Sequence, residues 1–363
     1  MKKIFLFIMS FILLTFVSCN QIKQSSVEEE TQATTISGSN ITTEATTAET
    51  KYVSEFKNPL TGLSGYNENA VGKRPVAIMV NNIKDSLPQY GIEQADVIYE
   101  IPVEGGITRL MAVYADYTNV PDVCSIRSCR YYYPIISYGM DAIYCHWGRD
   151  TTIADETLKR LKIDNLDGAG GANGTLFFRD EERAKTFSSE HTGYLKGEAL
   201  AEVIESFGYR TNLLEKNSSP MFKFNPEDKP VAPQGVVCMS ANLPFSASYY
   251  STFEYDSANK TYKKYHSGNA HIDSATGNQI EFTNVFALYT NISLRGVGAL
   301  VDVELNGGDG YYISNGAAQQ IKWYKDGEDE PIRITDLNGV EINVNAGKSF
   351  IGILDKACNV EIS

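Results

Sequence analysis

The chain has 363 residues, 42% of them hydrophobic and 11% aromatic, enough for two domains with sizeable cores once the amino end is set aside. Its formal charge is −13 at pH 7. Nucleic acid is thereby excluded as a partner, because binding a phosphate backbone needs a basic surface.

Residues 1–19 read as a lipoprotein signal peptide. Lys2 and Lys3 form a basic end, and Ile4 to Phe16 form an apolar run shorter than a membrane span. The run ends in Phe16-Val17-Ser18-Cys19, which resembles a bacterial lipobox: a small residue precedes a cysteine whose thiol takes the diacylglyceryl group. Cleavage before Cys19 removes two lysines and no acids, so the remainder is more acidic still. Residues 20–50 are rich in Thr, Ser, Glu, Ala and Gln and nearly devoid of large apolar side chains. Such a segment buries too little surface to offset its ordering entropy, and it reads as a disordered tether. No other stretch is long and apolar enough to span a bilayer. The expected location is the extracytoplasmic face of the cell membrane, reached through an N-terminal lipid anchor.

After a lead-in at 51–74, Pro75 to Val80 is a short apolar run that predicts a strand, followed by strands at 95–101 and 107–116. The stretch from Asp122 to Asp150 predicts a strand, a helix around 131–139 and another strand at 141–146. Thr151 or Thr152 is expected to cap a helix whose acids, Asp155 and Glu156, come first and whose cations, Lys159, Arg160 and Lys162, come last, as the helix dipole favours. Residues 165–175 form a Gly-rich loop. A helix is predicted at 194–207, where Leu200, Val203, Ile204 and Phe207 share one face and Gly208 stops the turn. Four prolines in 216–235 mark a linker. From there to residue 363 short strands alternate with Gly and Asn turns such as Asn315-Gly and Asn338-Gly. The expectation is an α+β protein: an N-terminal α/β domain at 75–215, then an all-β, sandwich- or barrel-like C-terminal domain at 236–363.

Five cysteines follow the signal segment. Cys124, Cys129, Cys145 and His146 do not match a standard zinc spacing, so no metal and no cofactor are expected. Buried free thiols account for them, with a Cys124–Cys129 disulfide as the alternative.

Arginine is distributed unevenly. Of 11 in the chain, seven lie between Arg109 and Arg183, and an acidic protein that gathers arginine in one region has a use for a local positive field. Ligands of open parallel α/β sheets sit beyond the carboxyl ends of the strands. Arg109, Arg127, Arg130 and Arg179, with His146, are expected near those ends as an anion-binding site, since guanidinium presents a rigid fork of donors. The competing expectation is that these arginines pair with local acids. The Gly-rich loop lacks the lysine and glycine order of a phosphate loop, and no nucleophile or metalloprotease motif is present. Catalytic residues are therefore not identified.

Several runs carry a family resemblance. Asn58-Pro-Leu-Thr-Gly-Leu63, Arg74 to Ile83, Ala95-Asp-Val-Ile-Tyr-Glu100, Val103 to Arg109, Ile126-Arg-Ser-Cys-Arg130, Asp141 to Gly148, His271 to Gly277 and Ala346 to Ile351 resemble the YerB-like bacterial lipoproteins. The resemblance covers about 58–355. Glu190-His191-Thr192 stands where that family tends to have a Pro-His-Asn run, and Cys129 and Cys145 stand where small or aliphatic residues are usual. The resemblance implies a two-domain surface lipoprotein and brings no established activity. Two functions remain open: a cell-envelope binding or scaffold protein with a cell-wall or phosphorylated ligand, and an envelope enzyme acting on a phosphorylated or diphosphate-linked wall precursor.

Overall fold

The computed structural model describes residues 54–295 and 300–363. The expected signal peptide, the lipidation residue Cys19 and the tether lie outside them. A single mixed sheet organises the rest. Its amino-terminal strands are β1 (Val76–Asn81), β2 (Val97–Pro102), β3 (Thr108–Tyr114), β5 (Ile143–His146) and β6 (Asn165–Asp167), with the short β4 (Val123–Cys124) lying outside it. The sheet continues into strands 349–355, 284–290, 307–314, 317–324 and 236–237, with 333–335 pairing beside 317–324. Its order across the amino-terminal part is β2-β3-β1-β5-β6.

β1, β2 and β3 are buried along their whole lengths. Continuous apolar runs such as Val76-Ala-Ile-Met-Val80 suit strands covered on both faces. The sheet departs from a parallel α/β plan at β3, which runs antiparallel to both β1 and β2. β1, β5 and β6 are mutually parallel. The proline-bearing segment 216–235 does not interrupt the sheet: β2 pairs in parallel with strand 349–355, Tyr99 facing Ile351 and Glu100 facing Gly352.

Helices α1 (Tyr132–Gly139) and α2 (Ile153–Arg160) cover one face, where Tyr132, Tyr133, Ile136 and Leu158 pack with Met79, Tyr99 and Met111. On the other face, helix α3 (Leu200–Ser206) and an antiparallel sheet built on 240–244, 250–256 and 261–266 pack with Ile98, Leu110 and Phe350. Residues 261–266 alternate in burial, as expected of a strand with one face on a core. No α-helix occurs after residue 206 among the described residues. The chain is α+β, and its all-β part closes no barrel.

Local chemistry explains two differences from expectation. Thr152 makes no side-chain cap on α2; Asp150 Oδ1 accepts from the Thr152, Ile153 and Ala154 amides instead. α3 is shorter than 194–207 because Gly193–Leu195 form β8, which pairs with β4 and with β7 (Phe177–Arg179). Its stop is as predicted: Gly208 takes φ +69°, a left-handed conformation costly for other residues. All five described cysteines are free thiols, four of them buried.

Candidate functional site: an arginine cluster at the sheet end

Reversal of β3 brings the site together. Arg109, near the start of β3, pairs in register with Asn81 at the end of β1 and Ile101 near the end of β2. The segment after β4 crosses this sheet end: Asn81 N–H donates to Ser125 O, and Arg127 N–H donates to Met79 O. Arg127 and Arg130 therefore stand beside Arg109.

Arg109 is buried, and one Nη donates to Ser128 O at 2.5 Å. Its Nε is buried with no hydrogen-bond partner among the described residues. Burial, then the charges of Arg130 and Arg127, lower its pKa to about 10. Like charges this close, with the dielectric reduced by burial, disfavour the ionised form. Arg130 Nε donates to Glu104 Oε1 at 2.6 Å and its Nη1 to Cys129 O at 2.8 Å. Burial opposes its charge, but the hydrogen bond and charge of Glu104 outweigh that and raise its pKa. Arg127 Nη2 donates to Glu190 Oε2 at 2.7 Å. Arg179, from β7, lies 4.1 Å from the Trp147 ring centre and donates to Ser189 O at 2.5 Å. Partial burial and then the charge of Arg127 lower its pKa.

Four guanidinium groups are thus met directly by two carboxylates, Glu104 and Glu190. Arg127 and Arg130 have acid partners, as the pairing expectation requires, whereas Arg109 and Arg179 have none among the described residues. Asp150 adds a more distant negative field at Arg130, but its carboxylate is engaged in capping α2.

His146 does not join the cluster. It ends β5 as expected, yet its ring is fully buried, with Nδ1 2.9 Å from Gly148 O and Nε2 3.1 Å from Asn165 Oδ1. Burial lowers its pKa. Its ring packs 5.2 Å from that of Tyr144, and both of its nitrogens are taken up within the protein, so a place at a strand end does not bring it to the arginines. His191 lies closer: its Nδ1 is 3.0 Å from Asn81 Nδ2, which makes Nδ1 an acceptor and leaves Nε2 as the N–H, 3.8 Å from Glu190 Oε1. Glu104, Glu190, Asn81 and Trp147 were not predicted as site residues. Only the crowding of arginine between Arg109 and Arg183 pointed toward them. The Gly-rich segment contributes an ordered edge, with Asp167 accepting from the Gly148 and Ala169 amides and pairing with Arg149. No group of three or more His, Cys, Asp or Glu residues suited to a metal ion occurs among the described residues, and none of their helices is long and apolar enough to cross a membrane.

Comparison with known proteins identifies the sequence family. Residues 60–210 match the N-terminal domain, and 241–351 the C-terminal domain, of DUF3048, a protein family of unknown function. The protein named "Putative lipoprotein YerB" of Bacillus subtilis is 26% identical over 303 residues, spanning 83% of this chain and 86% of that protein. A crystal structure of the YerB protein from Bacillus subtilis shares the fold, with a TM-score of 0.73 at 24% identity over 85% of this chain and 99% of that one.

Proposed function

The chain belongs to the DUF3048 family, and from that premise we propose that it is a membrane-anchored lipoprotein of the cell envelope that binds an anionic ligand at Arg109, Arg127, Arg130 and Arg179. Anchoring is supported by the order of basic residues, apolar run, Ser18 and Cys19, and by the name of the Bacillus subtilis relative. The ligand reading is carried by one observation: four adjacent guanidinium groups share two directly bonded carboxylates. Guanidinium groups so placed supply charge-assisted hydrogen bonds to phosphoryl or carboxylate oxygens. Binding is favoured over catalysis because each nearby acid is already engaged: Glu104 with Arg130, Glu190 with Arg127, and Asp150 with the start of α2.

Calorimetry with phosphate, diphosphate and a wall precursor tests the reading. Arg127→Ala should weaken binding roughly ten- to a hundredfold, the loss of one charge-assisted hydrogen bond. Arg127→Lys should restore it only in part, because lysine lacks the planar fork. Absence of anion binding by the wild-type protein, together with a lowered melting temperature for Arg127→Ala, would leave a purely structural arginine.

A further inference from the structure

The two arginine–glutamate pairs of the cluster differ in a way that bears on ligand entry. Arg130 and Glu104 are both largely enclosed, with side chains 16% and 22% exposed. Arg130 is held a second time by Cys129 O. Arg127 and Glu190 stand further out, at 26% and 53%. We infer that the Glu190 carboxylate is a displaceable occupant of the cluster, resting on Arg127 until a phosphoryl group takes its place. This inference rests on the anion-binding reading above and names both the ligand class and the gate of that site.

The backbone around Glu190 is pinned while its side chain is not. Arg179 and the Thr192 hydroxyl both donate to Ser189 O, at 2.5 and 2.8 Å. Asp180 N–H donates to Thr192 O at 2.7 Å, and His191 is held by Asn81. The Glu190 carboxylate itself has one hydrogen-bond partner, Arg127 Nη2, and a longer approach of 3.8 Å to His191 Nε2. Releasing Arg127 therefore needs a side-chain rotation and no unfolding of the loop. Exposed side chains make such rotations in picoseconds to nanoseconds. The pair that is lost is of the partly exposed kind that contributes little.

The same geometry selects the ligand. Glu190 is a tethered monoanion, so it competes at high effective concentration. A free monocarboxylate offers Arg127 the same fork of oxygens that Glu190 already supplies, and gains nothing by exchange. A phosphoryl group carries more charge and three acceptor oxygens. It can engage Arg127 together with Arg179, whose guanidinium lies within the field of Arg127 and is exposed. Glu190 thus sets a threshold that a weakly held monocarboxylate does not clear and a phosphoryl group, with more charge and more acceptor oxygens, does.

Calorimetry on the full-length protein in detergent, with inorganic diphosphate and acetate as probes, tests this. Glu190→Gln and Glu190→Ala should each bind diphosphate roughly fivefold more tightly than the wild type, the worth of a partly exposed ion pair. Acetate should gain by a similar factor, because a tethered competitor weakens equally every ligand that must displace it. Melting temperatures should fall by no more than about 4 °C, the equivalent of a pair worth about 1 kcal/mol. The alanine variant guards against the glutamine amide taking over the contact to Arg127. Diphosphate affinity no tighter than that of the wild type in either variant overturns the gate and leaves the site. Failure of wild type and both variants to bind diphosphate overturns the anion-binding reading itself.

Discussion

Two charged clusters occupy the same end of the central sheet on opposite faces, and they are built on opposite principles. On one face, that of Arg109, the guanidinium groups of Arg127 and Arg130 meet Glu190 and Glu104, while Arg109 itself meets no carboxylate among the described residues, in an arrangement partly open to water. On the other, Glu100 of β2 is completely enclosed. It accepts from Asn82 Nδ2 at 3.0 Å, the Thr108 hydroxyl at 2.8 Å and the Ser251 hydroxyl at 2.7 Å. Lys264 Nζ lies 3.4 Å from Glu100 Oε2 and donates to His271 Nδ1 at 3.0 Å; His271 Nε2 in turn donates to Gln89 Oε1 at 2.8 Å. Adjacent residues on a strand point to opposite faces, so neighbours such as Thr108 and Arg109 serve different clusters. The enclosed network ties residues before 216 to residues after 235, whereas the arginines tie little and keep donors to spare. Enclosure on every side makes one polar cluster a structural joint, and spare donors at a wet edge leave the other free for the ligand proposed above.

The largest test of this contrast is to cut the enclosed pair. Lys264→Met leaves Glu100 buried without its cation and should destabilise the fold by about 3–5 kcal/mol, measured by urea unfolding. The double variant Glu100→Gln with Lys264→Met should recover part of that loss. A cost below about 1 kcal/mol, the level of a surface pair, would erase the distinction between the clusters.

Acid should weaken the enclosed cluster next. Burial, then the charge of Lys264, depresses His266 to about 4, and burial with the charges of Lys264 and His266 holds His271 well below its ordinary value. Neither nitrogen of His266 has a hydrogen-bond partner among the described residues, and protonating His271 would set an N–H against the Lys264 ammonium. Because the unfolded chain takes up these protons near pH 6.5 and the folded chain resists, stability is complete above that pH. It should fall progressively as pH drops toward about 4, by roughly 1.4 kcal/mol per unit for each histidine. Melting temperatures between pH 7 and 4.5 check this, and His266→Phe should flatten the slope. A wild-type profile already flat over that window would contradict the burial of both rings.

The smallest effect is expected at an open pair elsewhere. Arg160 makes a two-pronged contact to Glu328 at 2.6 Å on the surface. Glu328→Gln should cost under about 1 kcal/mol in urea, and less at high salt. A loss matching that of Lys264→Met would mean that exposure does not set the worth of these pairs.

The apolar runs at 76–80, 97–99 and 350–354 determined by themselves that these segments are buried strands, because hydrophobic patterning is a local property. The Leu200, Val203, Ile204 spacing with Gly208 likewise determined a helix and its end, and the crowding of arginine between Arg109 and Arg183 marked the region where charge matters. Contacts between residues far apart in the chain were decided only by the tertiary structure. The antiparallel run of β3 brought Arg109 to the ends of β1 and β2, while the parallel pairing of β2 with 349–355 carried one sheet across the proline-bearing segment. Glu190 reached Arg127 across 63 positions, and Lys264 reached Glu100 through a sheet packed on the opposite face. His146, at a strand end like the arginines, was turned into the interior. Local pattern limits what a segment can form; whether a charge at its end meets water, a carboxylate or a buried carbonyl depends on which distant strand is laid beside it.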